Sequence, residues 1–205
     1  MITNIVSAVF TLVYLGLTMW LCRKFRFTAR SLAVGALAIA MTLIMASIMI
    51  PLPTGSAITC GSWIPLMLIA LCYDYRLAMV SGWLCGILSI AVLPGWAPVH
   101  WAQFFLEHLI AFSSLGYAGI FGSKKRAHIL WGIALAVSIR FIAQVLSGVI
   151  FFSQNAPAGW GAWVYSLSYH ISCKVPETIV SSLVLLALPL KRLSAAAKGS
   201  AACAL

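Results

Sequence analysis

The chain has 205 residues, of which 63% are hydrophobic and only 8% are charged. This composition excludes an ordinary soluble globular domain and is typical of helical membrane proteins with several spans. The formal charge of +10 suggests a nucleic-acid partner at first sight. The basic residues, however, stand between long apolar runs, where they determine membrane topology. We therefore predict an all-α integral membrane protein that binds no nucleic acid.

Seven apolar segments follow one another along the chain: residues 2–21, 31–50, 63–73, 77–93, 101–121, 128–152 and 162–190. The first lacks a basic leader and is long enough to span, so we interpret it as a transmembrane helix and not as a signal peptide. The third reaches spanning length only if its helix begins near Ala57. The small residues from 194 to 205 are predicted to be unstructured.

The loop cations fix the predicted orientation. All of the 13 lysines and arginines except Arg140 and Lys174 fall in alternate loops or in the tail. Because positive charge marks the cytoplasmic side, we expect a multi-pass protein of the cell membrane with the N-terminus outside and the C-terminus cytoplasmic.

A carboxylate stands inside the fifth apolar segment. Glu107 is among only three acidic residues in the chain, and a buried charge in a membrane is costly unless it is paired or functional. Gln103 lies one turn earlier, so both side chains project from the same helix face. A bridge to Lys174 or Arg140 is the structural alternative. We predict that this face lines a pocket for a small molecule.

Further polar groups occupy the later segments: His108, Arg140, Gln144, Tyr165, His170, Lys174 and Glu177. Lys174 and Glu177 are three residues apart and can pair along a helix. Arg140 is expected to snorkel to the cytoplasmic interface.

Aromatic residues gather in the outer half of the predicted bundle, where an interfacial belt explains several of them. Phe152, Trp160 and Tyr165 flank one outer loop and are the candidates for a ring cage around a flat or cationic ligand. The turn-rich residues 51–62 form an outside loop that is too apolar to extend into water, so we expect it to fold back as a lid.

No motif in the sequence indicates catalysis. The six cysteines have no metal-binding spacing, and there is no phosphate-binding glycine loop, zinc-protease motif or nucleophile elbow. We therefore predict no metal, no cofactor and no enzyme. An intramembrane enzyme using His108 or His170 as a base is the weakest alternative.

Four runs together resemble the thiamine-specific S component of energy-coupling-factor (ECF) vitamin transporters: PLPTGSAITCGSWIPLMLIAL, QFFLEHLIAF, RFIAQVLSGVIFF and WVYSLSYHISCKVPE. The resemblance implies a six-helix core over residues 28–190, an extra N-terminal transmembrane helix over residues 1–22 and a cytoplasmic tail over residues 191–205. It implies binding of a vitamin from outside and delivery with a shared membrane subunit and two ATPases.

The resemblance also assigns roles to residues. Glu107 is the acid that contacts thiamine, Tyr165 matches the family tyrosine, and Phe152 stacks on the ligand. Ala36 and Ala40 provide the small-residue face that docks on the shared subunit. The chain departs from the family pattern at four places: His108, Gln144, His170 and Lys174.

We predict the substrate-binding subunit of a vitamin importer. Its ligand-binding residues are Gln103, Glu107, His108, Gln144, Phe152, Trp160, Tyr165, His170 and Lys174. The alternative is a stand-alone carrier coupled to protons through Glu107 or Glu177. Lys174 suits a neutral or anionic ligand better than a thiazolium cation.

Overall fold

The fold is a bundle of helices with one small β-hairpin. A computed structural model describes residues 2–53, 55–59, 61–93, 95 and 97–198. The helices are α1 (Ile2–Cys22), α2 (Ala29–Ser47), α3 (Ile64–Cys72), α4 (Tyr75–Val92), α5 (residues 101–119), α6 (Arg126–Phe151), α7 (Ala162–Ala187) and α8 (Leu190–Lys198). The strands β1 (Met49–Pro51) and β2 (Ala57–Thr59) pair antiparallel between α2 and α3.

Among the described residues, five helices are long and apolar enough to cross a membrane: α1, α2, α4, α6 and α7. Their outward faces carry large apolar side chains, as expected where lipid replaces water as the solvent. The predicted multi-pass helical membrane protein is therefore confirmed.

Helix α3 is the short central helix of the bundle. Seven of its residues are buried, including Leu66 and Met67, which have no exposed surface. Its sequence is continuously apolar because neighbours cover it on every side. The condition for this segment to reach spanning length, a helix that begins near Ala57, is not met, because Ala57–Thr59 forms β2.

Helix α5 runs from Trp101 to Gly119 with a changing helical pitch. Its ends are α-helical and 3₁₀-helical, and between them Phe104–Ile110 forms a wide π-helical turn. Glycines on α4 allow this helix to come close: a Cβ at Gly86 would collide with the backbone of His108, and one at Gly82 with that of Phe112. The small residues of α4 are thus a packing surface.

Helix α1 attaches to α5 through two pairs of hydroxyl groups. Tyr14 Oη and Ser113 Oγ are 2.7 Å apart, and Thr18 Oγ1 and Tyr117 Oη are 3.1 Å apart. The Tyr14 and Tyr117 rings also approach to 6.0 Å between centroids. Helix α1 is therefore a packed part of the bundle.

Residues beyond α7 are more ordered than predicted. The chain continues as α8, so the expectation of an unstructured tail is wrong for residues 194–198. Arg30 Nη2 donates to the Ala196 carbonyl at 2.8 Å, which joins the beginning of α2 to α8. Residues 199–205 lie outside the described part of the chain.

Candidate ligand-binding site

A cavity of 490 Å³ lies inside the bundle between α5, α6, α7 and the β-hairpin. This volume is within the range of small-molecule sites. Eight of the nine predicted ligand-binding residues line it: Gln103, Glu107, His108, Gln144, Phe152, Tyr165, His170 and Lys174. Trp160 is not among the lining residues and is half exposed.

Glu107 is located on the wide turn of α5 and faces the cavity. The hydroxyl of Ser147 on α6 donates a hydrogen bond to its Oε1. The Gln103 side chain also hydrogen-bonds to the Glu107 carboxylate. Because a carboxylate has about four acceptor positions, these two bonds leave capacity for a ligand. The structure therefore holds Glu107 in place without a bridge to Arg140 or Lys174 at that oxygen.

Two neighbours of Glu107 on α5 are fixed by polar contacts. Gln103 Oε1 accepts the Val99 amide at 2.7 Å, and this leaves the donor end of the side-chain amide for other partners. His108 Nδ1 lies 3.0 Å from Ser89 Oγ, and the ring stacks on Phe104 at 6.1 Å. These contacts orient both side chains at the cavity wall.

Arg140 is buried in the bundle, so the expected snorkelling is wrong. Its Nη1 donates to the carbonyl of Ala111, and its guanidinium lies 4.9 Å from the centre of the Trp63 ring and 5.1 Å from that of Phe112. A backbone carbonyl and two ring faces thus stabilise a cation within the membrane.

Lys174 shares the Trp63 ring with Arg140. Its Nζ lies 5.6 Å from the ring centre and lines the cavity. Trp63 has only 1% of its surface exposed, so it forms the inner wall of the site and is not part of an interfacial belt. The chain therefore places two cations around one buried indole.

Glu177 is held by two hydroxyl groups in and just after the β-hairpin. The Thr59 hydroxyl donates to Glu177 Oε1, and the Ser62 hydroxyl donates to the same oxygen at 3.2 Å. Ser56 Oγ on the hairpin also lies 3.1 Å from Ser172 Oγ on α7. The described residues of this loop (51–53, 55–59, 61 and 62) therefore fold back against α7, as predicted, and they form one side of the cavity.

Several buried polar atoms have no hydrogen-bond partner among the described residues. At the cavity these atoms are Arg140 Nε, Gln144 Oε1 and His170 Nδ1. An unsatisfied buried polar atom costs roughly 1–3 kcal/mol. A polar ligand in the cavity would satisfy such atoms.

Sequence reasoning missed Ser147, Thr59 and Ser62. Hydroxyl residues are common in membrane helices and turns, so their spacing gave no signal. Their roles follow only from the contact of α6 with α5 and of the hairpin with α7.

The fold and cavity define a helical membrane protein with a partly open cavity, lined by polar and aromatic side chains, that is large enough for a small molecule. The chain belongs to the family described as "Thiamine transporter protein", whose model matches residues 32–197. Members of this family are transporters and not enzymes.

Two curated relatives and one solved structure are similar. The thiamine transporter ThiT of Bacillus subtilis is 30% identical over 69% of this chain and 79% of its own length. ThiT of Lacticaseibacillus paracasei is 28% identical over 72% and 81%, respectively. The structure of ThiT from Listeria monocytogenes has a TM-score of 0.70 and 23% identity, and it covers 80% of this chain and 96% of that one. This last likeness shows the shared fold.

Proposed function

We propose that the chain binds thiamine, or a close relative with an aminopyrimidine and a thiazole ring, in the central cavity and delivers it across the membrane. The observation that carries this proposal is Glu107, a carboxylate facing a polar cavity inside a helical bundle of the thiamine transporter family. The mechanism is binding and release without covalent chemistry.

The polar lining suits an aminopyrimidine. Glu107 accepts hydrogen bonds from its amino group, and Gln144 and His170 supply further donors or acceptors. The rings of Tyr165 and Tyr169, whose centroids are 6.1 Å apart, and that of Phe152 offer surfaces for a flat ligand.

The positions of the cations in the cavity determine how the ligand is oriented in this proposal. Lys174 is nine residues after Tyr165, or about 13.5 Å along the helix. A thiazolium cation is repelled by Arg140 and Lys174 near Trp63 and attracted by aromatic faces. We therefore place the thiazolium ring toward Phe152 and Tyr165, away from Trp63.

Delivery requires a partner in this proposal. Ala36 and Ala40 are one turn apart and both exposed on α2, and small residues at this spacing allow another membrane helix to pack closely. We infer that this face docks on the transmembrane subunit of an ECF module, which carries two ATPases. In this proposal the α1–α2 junction and α8 lie on the cytoplasmic side, because both carry loop cations.

The first test measures thiamine binding to the purified full chain in detergent. Calorimetry and the quenching of intrinsic tryptophan fluorescence both report this binding. We expect saturable binding of thiamine and none of biotin or riboflavin. A chain that is folded by thermal unfolding and yet binds no thiamine would overturn the proposal.

Transport separates the two coupling mechanisms. In proteoliposomes, we expect uptake only when the ECF module and ATP are present, with loss of uptake in an Ala36→Leu/Ala40→Leu variant that still binds thiamine. Uptake by the chain alone that collapses with a protonophore would instead identify a proton-coupled carrier.

A further inference from the structure

A second cavity, separate from the ligand-binding site, lies where α1 ends and α4 begins. It has a volume of 310 Å³ and is lined by Trp20, Leu21, Arg23, Lys24, Tyr75 and Arg76. The first four residues lie outside the part of the chain that matches the family model. The wall of this cavity on the α1 side therefore lies outside the matched part of the chain.

Contacts between the two helices define the walls of this cavity. Cys22 Sγ lies 3.8 Å from the Arg76 carbonyl oxygen and 3.9 Å from Met79 Sδ. Leu21 and Phe25 pack on the hydrophobic core on either side of Cys22. The end of α1 is therefore held against the first turn of α4, and the basic side chains of both helices converge.

Three cations line the cavity: Arg23, Lys24 and Arg76. The Arg23 guanidinium lies 5.2 Å from the centre of the Trp20 ring, and Arg76 Nε donates to Tyr75 Oη at 3.1 Å. A guanidinium has five N–H donors in a planar fork that matches phosphate oxygens. These ring contacts orient both guanidinium groups and use only one donor of Arg76.

One acidic residue stands nearby. Asp74 Oδ1 accepts the Arg76 backbone amide at 2.7 Å and caps the beginning of α4. It does not line the cavity. The local balance is therefore positive, with three cations against one carboxylate that already serves as a helix cap.

We propose that this cavity binds the phosphate of an anionic phospholipid headgroup. The cations lie at the end of a spanning helix, which is the depth of lipid phosphates. The apolar side chains of Leu17 and Val13 continue from the cavity along the outward face of α1, and both are largely exposed. This apolar surface can contact the acyl chain of a lipid, whereas inorganic phosphate has no apolar part that could bind there.

Native mass spectrometry of the full chain tests the proposal. The detergent-solubilised protein is titrated with phosphatidylglycerol or with phosphatidylcholine. The variants are Arg23→Gln/Arg76→Gln and a control, Lys124→Gln/Arg126→Gln, which loses the same charge at another basic loop. Size-exclusion profiles and unfolding temperatures establish that each variant is folded.

We expect retention of phosphatidylglycerol over phosphatidylcholine by the wild type and by the control. We expect the Arg23/Arg76 variant to bind phosphatidylglycerol about 10- to 30-fold more weakly. A charge-preserving Arg23→Lys/Arg76→Lys variant should recover part of the affinity.

Three results would overturn the assignment. The first is equal loss in the control variant, which would indicate general charge attraction. The second is equal retention of both lipids by the wild type. The third is displacement of phosphatidylglycerol by millimolar inorganic phosphate, which would identify a site for the free anion.

Discussion

Ser147 on α6 donates a hydrogen bond to Oε1 of Glu107 on the wide turn of α5. Ser147 has no exposed surface, whereas Glu107 is only partly buried, so the bond is shielded from solvent on the Ser147 side. A hydrogen bond to a charged acceptor contributes more than one between neutral groups. The pair joins two helices at the cavity wall and fixes the direction in which the carboxylate faces a ligand.

Ser147→Ala should weaken thiamine binding about fivefold to tenfold, because a net hydrogen bond is worth about 1–1.5 kcal/mol. Calorimetry on the purified protein measures the change. Ser181→Ala is the matched control, since the Ser181 hydroxyl on α7 is buried and has no hydrogen-bond partner among the described residues. Equal effects of the two substitutions would contradict a specific role for Ser147.

Glu107→Gln should reduce affinity for thiamine by about 10- to 100-fold, because it replaces a charged acceptor with a neutral amide. Fluorescence titration gives the dissociation constant. The control is Asp74→Asn, which removes another acidic charge at the beginning of α4 while keeping a good helix cap. An affinity within twofold of wild type for Glu107→Gln would refute the proposed contact.

Thr59→Val/Ser62→Ala removes both hydroxyls that hold Glu177. We expect faster release of the ligand, by about tenfold, because the hairpin then opens at lower cost. Stopped-flow fluorescence measures the dissociation rate. Ser47→Ala serves as control, because the Ser47 hydroxyl is exposed and donates to the Ile44 carbonyl within its own helix. An unchanged rate would mean that the hairpin does not limit exchange.

Gly148→Ala tests the contact of α6 with α7 beside the cavity. A Cβ at position 148 would collide with Ser166 Oγ and lie 3.3 Å from His170 Nε2. We expect the unfolding temperature and the affinity both to fall. Removing the nearest atom with Ser166→Ala should restore part of each, and a double variant that is no better than Gly148→Ala would argue against this steric cause.

Tyr14→Phe and Thr18→Val each remove a hydroxyl that joins α1 to α5. Each change should destabilise the protein by about 0.6 kcal/mol, the average for such bonds between membrane helices. Thermal unfolding in detergent measures the loss. The control is Ser7→Ala, since the buried Ser7 hydroxyl has no hydrogen-bond partner among the described residues.

The helical segments and the polar cavity residues were predictable, because the length of an apolar run and a polar or charged residue within it can both be read directly from the sequence. Glu107 was recognisable as a lone carboxylate within an apolar run. The burial of Arg140 was not, because it depends on the Ala111 carbonyl and on two rings from other elements. The same holds for β2, because Ala57–Thr59 becomes a strand through its pairing with β1.

The π-helical turn of α5 changes the direction in which the side chains after it point, relative to those before it. Each residue in an α-helix advances the side-chain direction by about 100°. Deleting one residue between Glu107 and Ser113 would leave the carboxylate beside Ser147 and swing Ser113 and Tyr117 away from α1. The extra residue in that turn therefore allows α5 to place Glu107 at the cavity while Ser113 and Tyr117 face α1.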